Sequence, residues 1–191
     1  MKRIHLSTTA LAVAAIAALG LGTGIVPALA GEHTTMVGGA AMYPTKNIIQ
    51  NAVNSKDHTT LVAAVKAAGL VDTLQGAGPF TVFAPTNEAF EKLPADTVPT
   101  LLKPENKEML VKVLTYHVVA GRYTASDLMK LVKKGNGTAT LKTVEGGMLT
   151  FSGSGKSLMV TDAKGQMAHI TISNVMQSNG VIHVVDTVLL Q

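Results

Sequence analysis

The stretch FTVFAPTNEAF, residues 80–90, decides how this chain is read. FTVFA combines aromatic and β-branched side chains, the composition of a short buried strand. Pro85 has no N–H to give to a ladder, so the strand stops there. Thr86 or Asn87 can accept a backbone N–H at the start of a helix, and Glu88 places negative charge in its first turn, where the helix dipole favours it. Ala89 and Phe90 then turn inward. A strand, a sharp polar turn and a helix are also the outline of a catalytic elbow or a phosphate loop. Neither chemistry fits: no Gly-x-Ser-x-Gly surrounds Thr86, and the glycines whose N–H groups would cradle a phosphate are missing. The turn reads as a capped element of the fold.

On either side the pattern is first helical. NIIQNAV (47–53) puts Ile48, Ile49, Ala52 and Val53 on one face. HTTLVAAVKAAGLVDTL (58–74) is a second helix, with Thr59 or Thr60 as its cap and Gly69 interrupting it. Pro94, Pro99 and Pro104 cut the next segment into turns, after which 105–114 is helical, with Leu110, Val113 and Leu114 on one side. YHVV (116–119) reads as a strand, and 124–132 as a helix capped by Thr124 or Ser126, with Gly135 beyond its end. From Thr138 the pattern changes to short β-branched runs: TATLKTV, MLTFSG, SLMVTD and AHITISNVMQ. Asn179-Gly180, two residues that tolerate positive φ, predicts a hairpin into VIHVVDTVLL. A helical first half and a strand-rich, mostly antiparallel second half indicate an α+β fold.

The N-terminus carries a different signal. Lys2 and Arg3 precede LAVAAIAALGLG (11–22), and Ala28-Leu29-Ala30 supplies small residues ahead of Gly31. This is the three-part pattern of a secretory signal peptide over 1–30, cleaved after Ala30. The apolar run approaches the ~20 residues of a membrane span, but Pro27 and the A-x-A ending favour cleavage, and no later segment is long and apolar enough to span. GEHTTMVGGAAMY is Gly/Ala-rich and aperiodic, so 31–44 is expected to be a flexible leader and 45–191 a single domain. With Lys2 and Arg3 removed, 14 basic residues stand against 12 acidic ones. That balance, without a basic stripe interleaved with aromatics, argues against nucleic acid as a partner. The chain has no cysteine, which excludes disulfides, thiolate nucleophiles, Cys-ligated zinc and a lipidated cysteine anchor. A domain of this size is large enough to bury a core without them.

Candidate chemistry is sparse. His33, His58, His117, His169 and His183 show no H-x-H or H-x-x-x-H spacing, so no metal site is expected. His183 and Asp186, three apart on a strand, face opposite sides, as do the consecutive Tyr116 and His117; one of the latter two is expected inside and the other near the surface. Asn136-Gly137-Thr138 fits a glycosylation sequon and reads as a loop. Met109, Met129, Met148, Met159, Met167 and Met176 either fill irregular core gaps or line an apolar groove.

Three landmarks together resemble the fasciclin family, the FAS1 domain: FTVFAPTNEAF (80–90), LTYHVV (114–119) and SNGVIHVVDTVLL (178–190). The likeness runs from about residue 45 to 190. Glu88 stands where many members carry Asp, and the chain stops at Gln191 where many continue with proline, so no second domain or tail anchor is expected. The resemblance implies a twisted β-sandwich or wedge with helices packed around it, Thr86, Asn87, His183 and Asp186 as structural signature residues, and Tyr116 and His117 as an adhesion-type binding motif. It implies an exported, monomeric, non-enzymatic interaction module without a cofactor, periplasmic or extracellular, whose partner is a cell-surface, envelope or matrix component or another protein. The alternative is a carrier of a small apolar ligand, a lipid or carotenoid, in a Met-lined groove.

Overall fold

The computed structural model describes residues 34–155 and 157–191; the signal-peptide reading of 1–30 and His33 lie outside them. The chain enters through a hairpin of β1 (Thr35–Val37) and β2 (Ala40–Met42), turned by Gly38 and Gly39 at φ +57° and +75°. Val37 and Met42 are buried in the main core. Over 35–42 this corrects the flexible-leader reading of 31–44; residues 31–33 lie outside the described residues. Three-residue strands are too short to show a period of two, but Gly38-Gly39 was itself a hairpin signal.

The helical part follows: α1 (Ile48–Ala52), α2 (Thr59–Ala68) and α3 (Val71–Gln75). Asn47 and Gln50 form a reciprocal capping box on α1. Gly69 ends α2 in the left-handed conformation at φ 72°, the interruption its sequence predicts. β3 (Phe80–Pro85), α4 (Asn87–Glu91), α5 (Thr97–Leu101), α6 (Lys107–Tyr116), β4 (Val118–Ala120) and α7 (Ala125–Lys134) come next. Thr124 caps α7 in a box with Asp127. The loop holding Asn136 and Gly137 leads into β5 (Thr138–Lys142), β6 (Met148–Ser154), β7 (Ser157–Thr161), β8 (Met167–Gln177) and β9 (Gly180–Val185).

Seven strands form one mixed sheet in the order β4-β3-β9-β8-β7-β6-β5, and a bridge between Val119 and Thr143 brings its two ends together. All neighbours are antiparallel except β3 and β9, which run parallel with Phe80 opposite Gly180 and Pro85 opposite Val185. Parallel strands covered on both faces read as unbroken apolar runs, and FTVFAP and GVIHVV are such runs. Val82, Ala84, Ile182 and Val184 face a core shared with Ile48, Leu61, Val65 and Leu114 of the helices. Phe83 and Val185 face a second core with Leu128 and Val132 of α7 and Leu149, Phe151 and Val160 of the β5–β8 meander. The fold is α+β, and the strand-rich second half takes a parallel partner from the helical first half.

The β8–β9 hairpin forms one residue earlier than expected. Gln177 pairs with Gly180, so Ser178-Asn179 is the turn, and neither residue has positive φ. Asn179 acts through its side chain: Oδ1 accepts from Ile48 N–H at 3.1 Å, and Nδ2 donates to the carbonyls of Leu74 and Gly76 at 2.8 and 2.9 Å. It ties the turn to α1 and α3. Gly180 is needed for space, because a Cβ there would lie 2.2 Å from the Phe80 carbonyl oxygen. Gly180→Ala should therefore destabilise the protein by about 1–3 kcal/mol, the usual cost of overpacking. Urea unfolding measures it; a change within about 0.5 kcal/mol, the range of an ordinary surface substitution, would contradict this close approach.

Candidate functional site

Thr86 and Asn87 divide their work between two helices. Thr86 is the N-cap of α4, its hydroxyl accepting from Ala89 N–H at 3.3 Å. Asn87 is the first residue inside α4 and caps α2 instead. Its Oδ1 accepts from the Thr60 N–H at 3.0 Å and the Thr59 hydroxyl at 3.2 Å, while Nδ2 donates to the Lys56 carbonyl at 2.8 Å. His58, which precedes α2, offers that helix no side-chain cap, so the orphan N–H is met from across the turn.

The structure corrects the strand reading of Tyr116 and His117. α6 runs through Tyr116, His117 is its C-terminal cap, and the strand starts at Val118. A short apolar run does not by itself distinguish helix from strand. Consecutive residues on a helical turn are not forced to opposite faces, and both side chains are inside, at 0% and 2% exposure. The Tyr116 hydroxyl donates to the Met148 carbonyl at 2.8 Å and accepts from Ala163 N–H at 2.9 Å. His117 Nδ1 donates to the Val113 carbonyl at 2.8 Å, and its Nε2 accepts from Leu189 N–H at 3.0 Å. Buried Asp162 accepts from Leu190 N–H at 2.9 Å. His117 and Asp162 thus clamp the C-terminal segment while Tyr116 joins β6 to the turn after β7, and neither Tyr116 nor His117 is available for direct surface contact.

His183 is equally internal. Its ring stacks on Phe83 with centroids 5.6 Å apart, Nε2 donates to the Tyr123 carbonyl at 2.8 Å, and Nδ1 accepts from Asn174 N–H at 3.4 Å. Asn174, at φ 59° in an irregularity of β8, passes the connection on by accepting from Ala125 N–H of α7 at 2.8 Å. Carbonyl acceptors and N–H donors hold His117 and His183 in opposite neutral tautomers. Burial lowers the pKa of His58, His117 and His183, and His117 falls to about 4 despite the Val113 carbonyl. Asp186 lies just past β9, accepting from His169 N–H at 2.8 Å and the Thr187 hydroxyl at 3.1 Å, with Lys92 Nζ 3.9 Å away. Burial pushes its carboxyl up, but these donors and Lys92 bring it below the ordinary aspartate value.

No group of three or more His, Asp or Glu among the described residues is placed to hold a metal ion. Two small, partly open apolar cavities lie under α1 and α2, of about 40 and 30 Å³. Ligand pockets for drug-sized molecules run to several hundred Å³, so neither accommodates a lipid or carotenoid. None of the six methionines singled out lines them; Met109, Met148 and Met167 are exposed. Met109 lies on α6, Met129 on α7, Met148 on β6, Met159 on β7, and Met167 and Met176 toward opposite ends of β8, so they do not gather around either cavity. Sequence reading gives Asn179 only a turn and gives Asp162 and Arg122 no role. The Ser-Asn-Gly turn and a lone arginine after a glycine were the available signals.

The fasciclin domain model matches residues 56–191. The chain is 45% identical over 161 residues to Protein sll1483 of Synechocystis sp., covering 83% of this chain and 81% of that protein. It is 34% identical over 205 residues to Immunogenic protein MPB70 of Mycobacterium bovis, covering 97% and 95%, and 34% identical over 166 residues to Cell surface glycolipoprotein MPB83 of the same organism, covering 84% and 68%. A solved FAS1 domain pair from the insect cell adhesion molecule Fasciclin I superposes with a TM-score of 0.69 at 18% identity, over 78% of this chain and 52% of that one. The chain thus spans about half the length of that pair, and the likeness is one of fold.

Thr86→Ala and Asn87→Ala should each cost about 0.5–2 kcal/mol, as lost caps do. Because the two serve different helices, the double variant should lose close to the sum; a double no worse than the worse single would mean one shared cap. The histidines set a pH dependence. Between pH 6.5 and about 4 the unfolded chain binds a proton at His117 that the folded chain refuses, so stability falls on acidification through that window. The shift corresponds to about 3 kcal/mol at 1.36 kcal/mol per unit, and His58 and His183 act in the same direction. Urea midpoints at pH 7 and 4.5 test this: a flat profile excludes neutral burial, and His117→Gln should show a shallower one.

Proposed function

This chain belongs to the fasciclin family, and from that premise we propose that it is an exported, non-enzymatic interaction module acting in adhesion or in association with the cell envelope or matrix. The observation that carries the reading is the inward use of the signature residues. Thr86, Asn87, Tyr116, His117 and His183 are all engaged in capping helices, joining strands or clamping the C-terminal segment, and none is arranged as a nucleophile beside a base. Polar groups held this way specify a fold, which leaves contact with a partner to the surface turns. Tyr116 and His117 contribute by fixing the shape of those turns. The family supports a role at the surface, as does the relative that is itself a cell surface glycolipoprotein.

In this reading residues 1–30 are a cleaved signal peptide, the domain extends from the β1–β2 hairpin to Gln191, and the protein acts as a monomer in the periplasm or outside the cell. N-terminal sequencing of the exported protein should begin at Gly31. Tagged exported protein incubated with envelope from its own cells should co-sediment saturably and be competed by untagged protein. Protein that stays wholly in the supernatant across envelope concentrations would remove the adhesion reading.

A further inference from the structure

Four segments converge at the end of the sheet where β3 starts and the β8–β9 turn closes: residues 43–47, 76–79, 121–122 and 178–179. Gly121 N–H donates to the Pro79 carbonyl at 2.9 Å, Ser178 N–H to the Lys46 carbonyl at 2.9 Å, and Phe80 N–H to the Asn179 carbonyl at 3.0 Å. Buried Asn51 grips Tyr43, accepting from its N–H at 3.0 Å and donating to its carbonyl at 2.8 Å. Between the last three of these segments lies an open groove of about 300 Å³ lined by Ala77, Gly78, Pro79, Arg122, Ser178 and Asn179.

Arg122 is held there but not neutralised. Its Nη2 donates to the carbonyls of Gln177 and Ser178, both at 3.3 Å. The ion pairs among the described residues are Lys92 with Asp186 and Lys130 with Asp127, so Arg122 has no carboxylate. Of its five N–H donors, those on Nε and Nη1 have no partner among the described residues. Lys46 lies outside this lining, in the segment bonded to Ser178, with its Nζ 4.9 Å above the Tyr43 ring. The four segments contain no Asp or Glu, and exposed Ser178 adds a hydroxyl.

We infer that this groove binds an acidic sugar of an envelope or extracellular polysaccharide, with the sugar carboxylate seated on Arg122. A guanidinium fixed by backbone carbonyls loses little freedom on receiving a carboxylate, and the resulting hydrogen bond is charge-assisted. A uronic acid carries its carboxylate at the ring edge, beside a C–H face that Ala77 and Pro79 can support and hydroxyls that Ser178 can meet. A peptide finds less here. The floor is glycine, alanine and proline without a deep pocket for an anchoring side chain, and the rim consists of turns with no open strand edge to extend. The inference rests on the exported, envelope-associated reading above and names the chemistry such an association would use.

The test is an NMR titration of ¹⁵N-labelled exported protein with tetragalacturonate, with neutral galactotetraose as control. Saturable shifts are expected at the Gly121, Ser178 and Asn179 amides and at Arg122 Nε, weakening with added salt and absent with the neutral sugar. Arg122→Gln should weaken binding about tenfold, as loss of a charged hydrogen bond does, and Lys46→Gln should weaken it less. Unchanged spectra away from the groove show that the variants are folded. No saturable shift at low salt, equal binding by the neutral sugar, indifference to Arg122→Gln, or tighter binding of tetraglutamate would each overturn it. If the groove stays silent while the protein still co-sediments with envelope, this inference fails and the proposed function stands; failure of both experiments removes both.

Discussion

β3 and β9 lie side by side in parallel although 100 positions separate each paired residue from its partner. Parallel strands cannot be joined by a tight turn, so everything between them, from α4 to β8, is one long connection that must return the chain to the same sheet. Loop closure of this length costs only slowly more as the connection grows, whereas the pair must be covered on both faces to be stable. The two cores supply that cover, one under the helices and one inside the meander. Removing either face would expose half of both strands.

A pair buried on both sides can tolerate polar side chains only where each finds a partner. Thr81, at 0% exposure, donates to the Gly121 carbonyl at 2.7 Å and accepts from Tyr123 N–H at 2.9 Å. His183 also bonds to Tyr123, through its carbonyl. Both therefore fix the path of the chain between β4 and α7, and so the place of Arg122. At the opposite end of the pair, Thr86 N–H donates to the Val185 carbonyl at 3.3 Å and Lys92 to the Asp186 carbonyl at 2.6 Å, locking the two signature turns together. The polar letters in these strands and in the turns that follow them are fastenings between elements.

This also explains what was legible. FTVFAPTNEAF announced a strand, a stop and a capped helix, because composition, proline and cap preference all act within a few residues. The division of labour between Thr86 and Asn87 was not legible: the N–H that Asn87 satisfies belongs to Thr60, 27 positions away. The same limit hid the parallel pairing, which no local period encodes, and the anchoring role of Asn179, whose partners lie over 100 positions away. Tyr116 and His117 failed for another reason. Four residues between a helix and a strand carry too little periodicity to fix the phase, and the wrong phase put one side chain outside. Gly38-Gly39 was legible and was passed over, because the strands it joins are three residues each.

In the proposed reading, residues that identify the family and residues that meet a partner are different sets. Apart from Asp186, the signature side chains are engaged in bonds between elements, so substituting them alters the scaffold first. The turns at the two ends of the β3–β9 pair are positioned by those same side chains yet face outward. At one end the emerging groups include an ion pair, Lys92 with Asp186, whose charges already answer each other. At the other end Arg122 emerges with no paired carboxylate among the described residues, on a lining that contains no acid. In the proposed reading, a rigid scaffold with one compensated and one uncompensated end directs an anionic partner to the second, and partners change by altering a few turn residues while the buried ladder stays as it is.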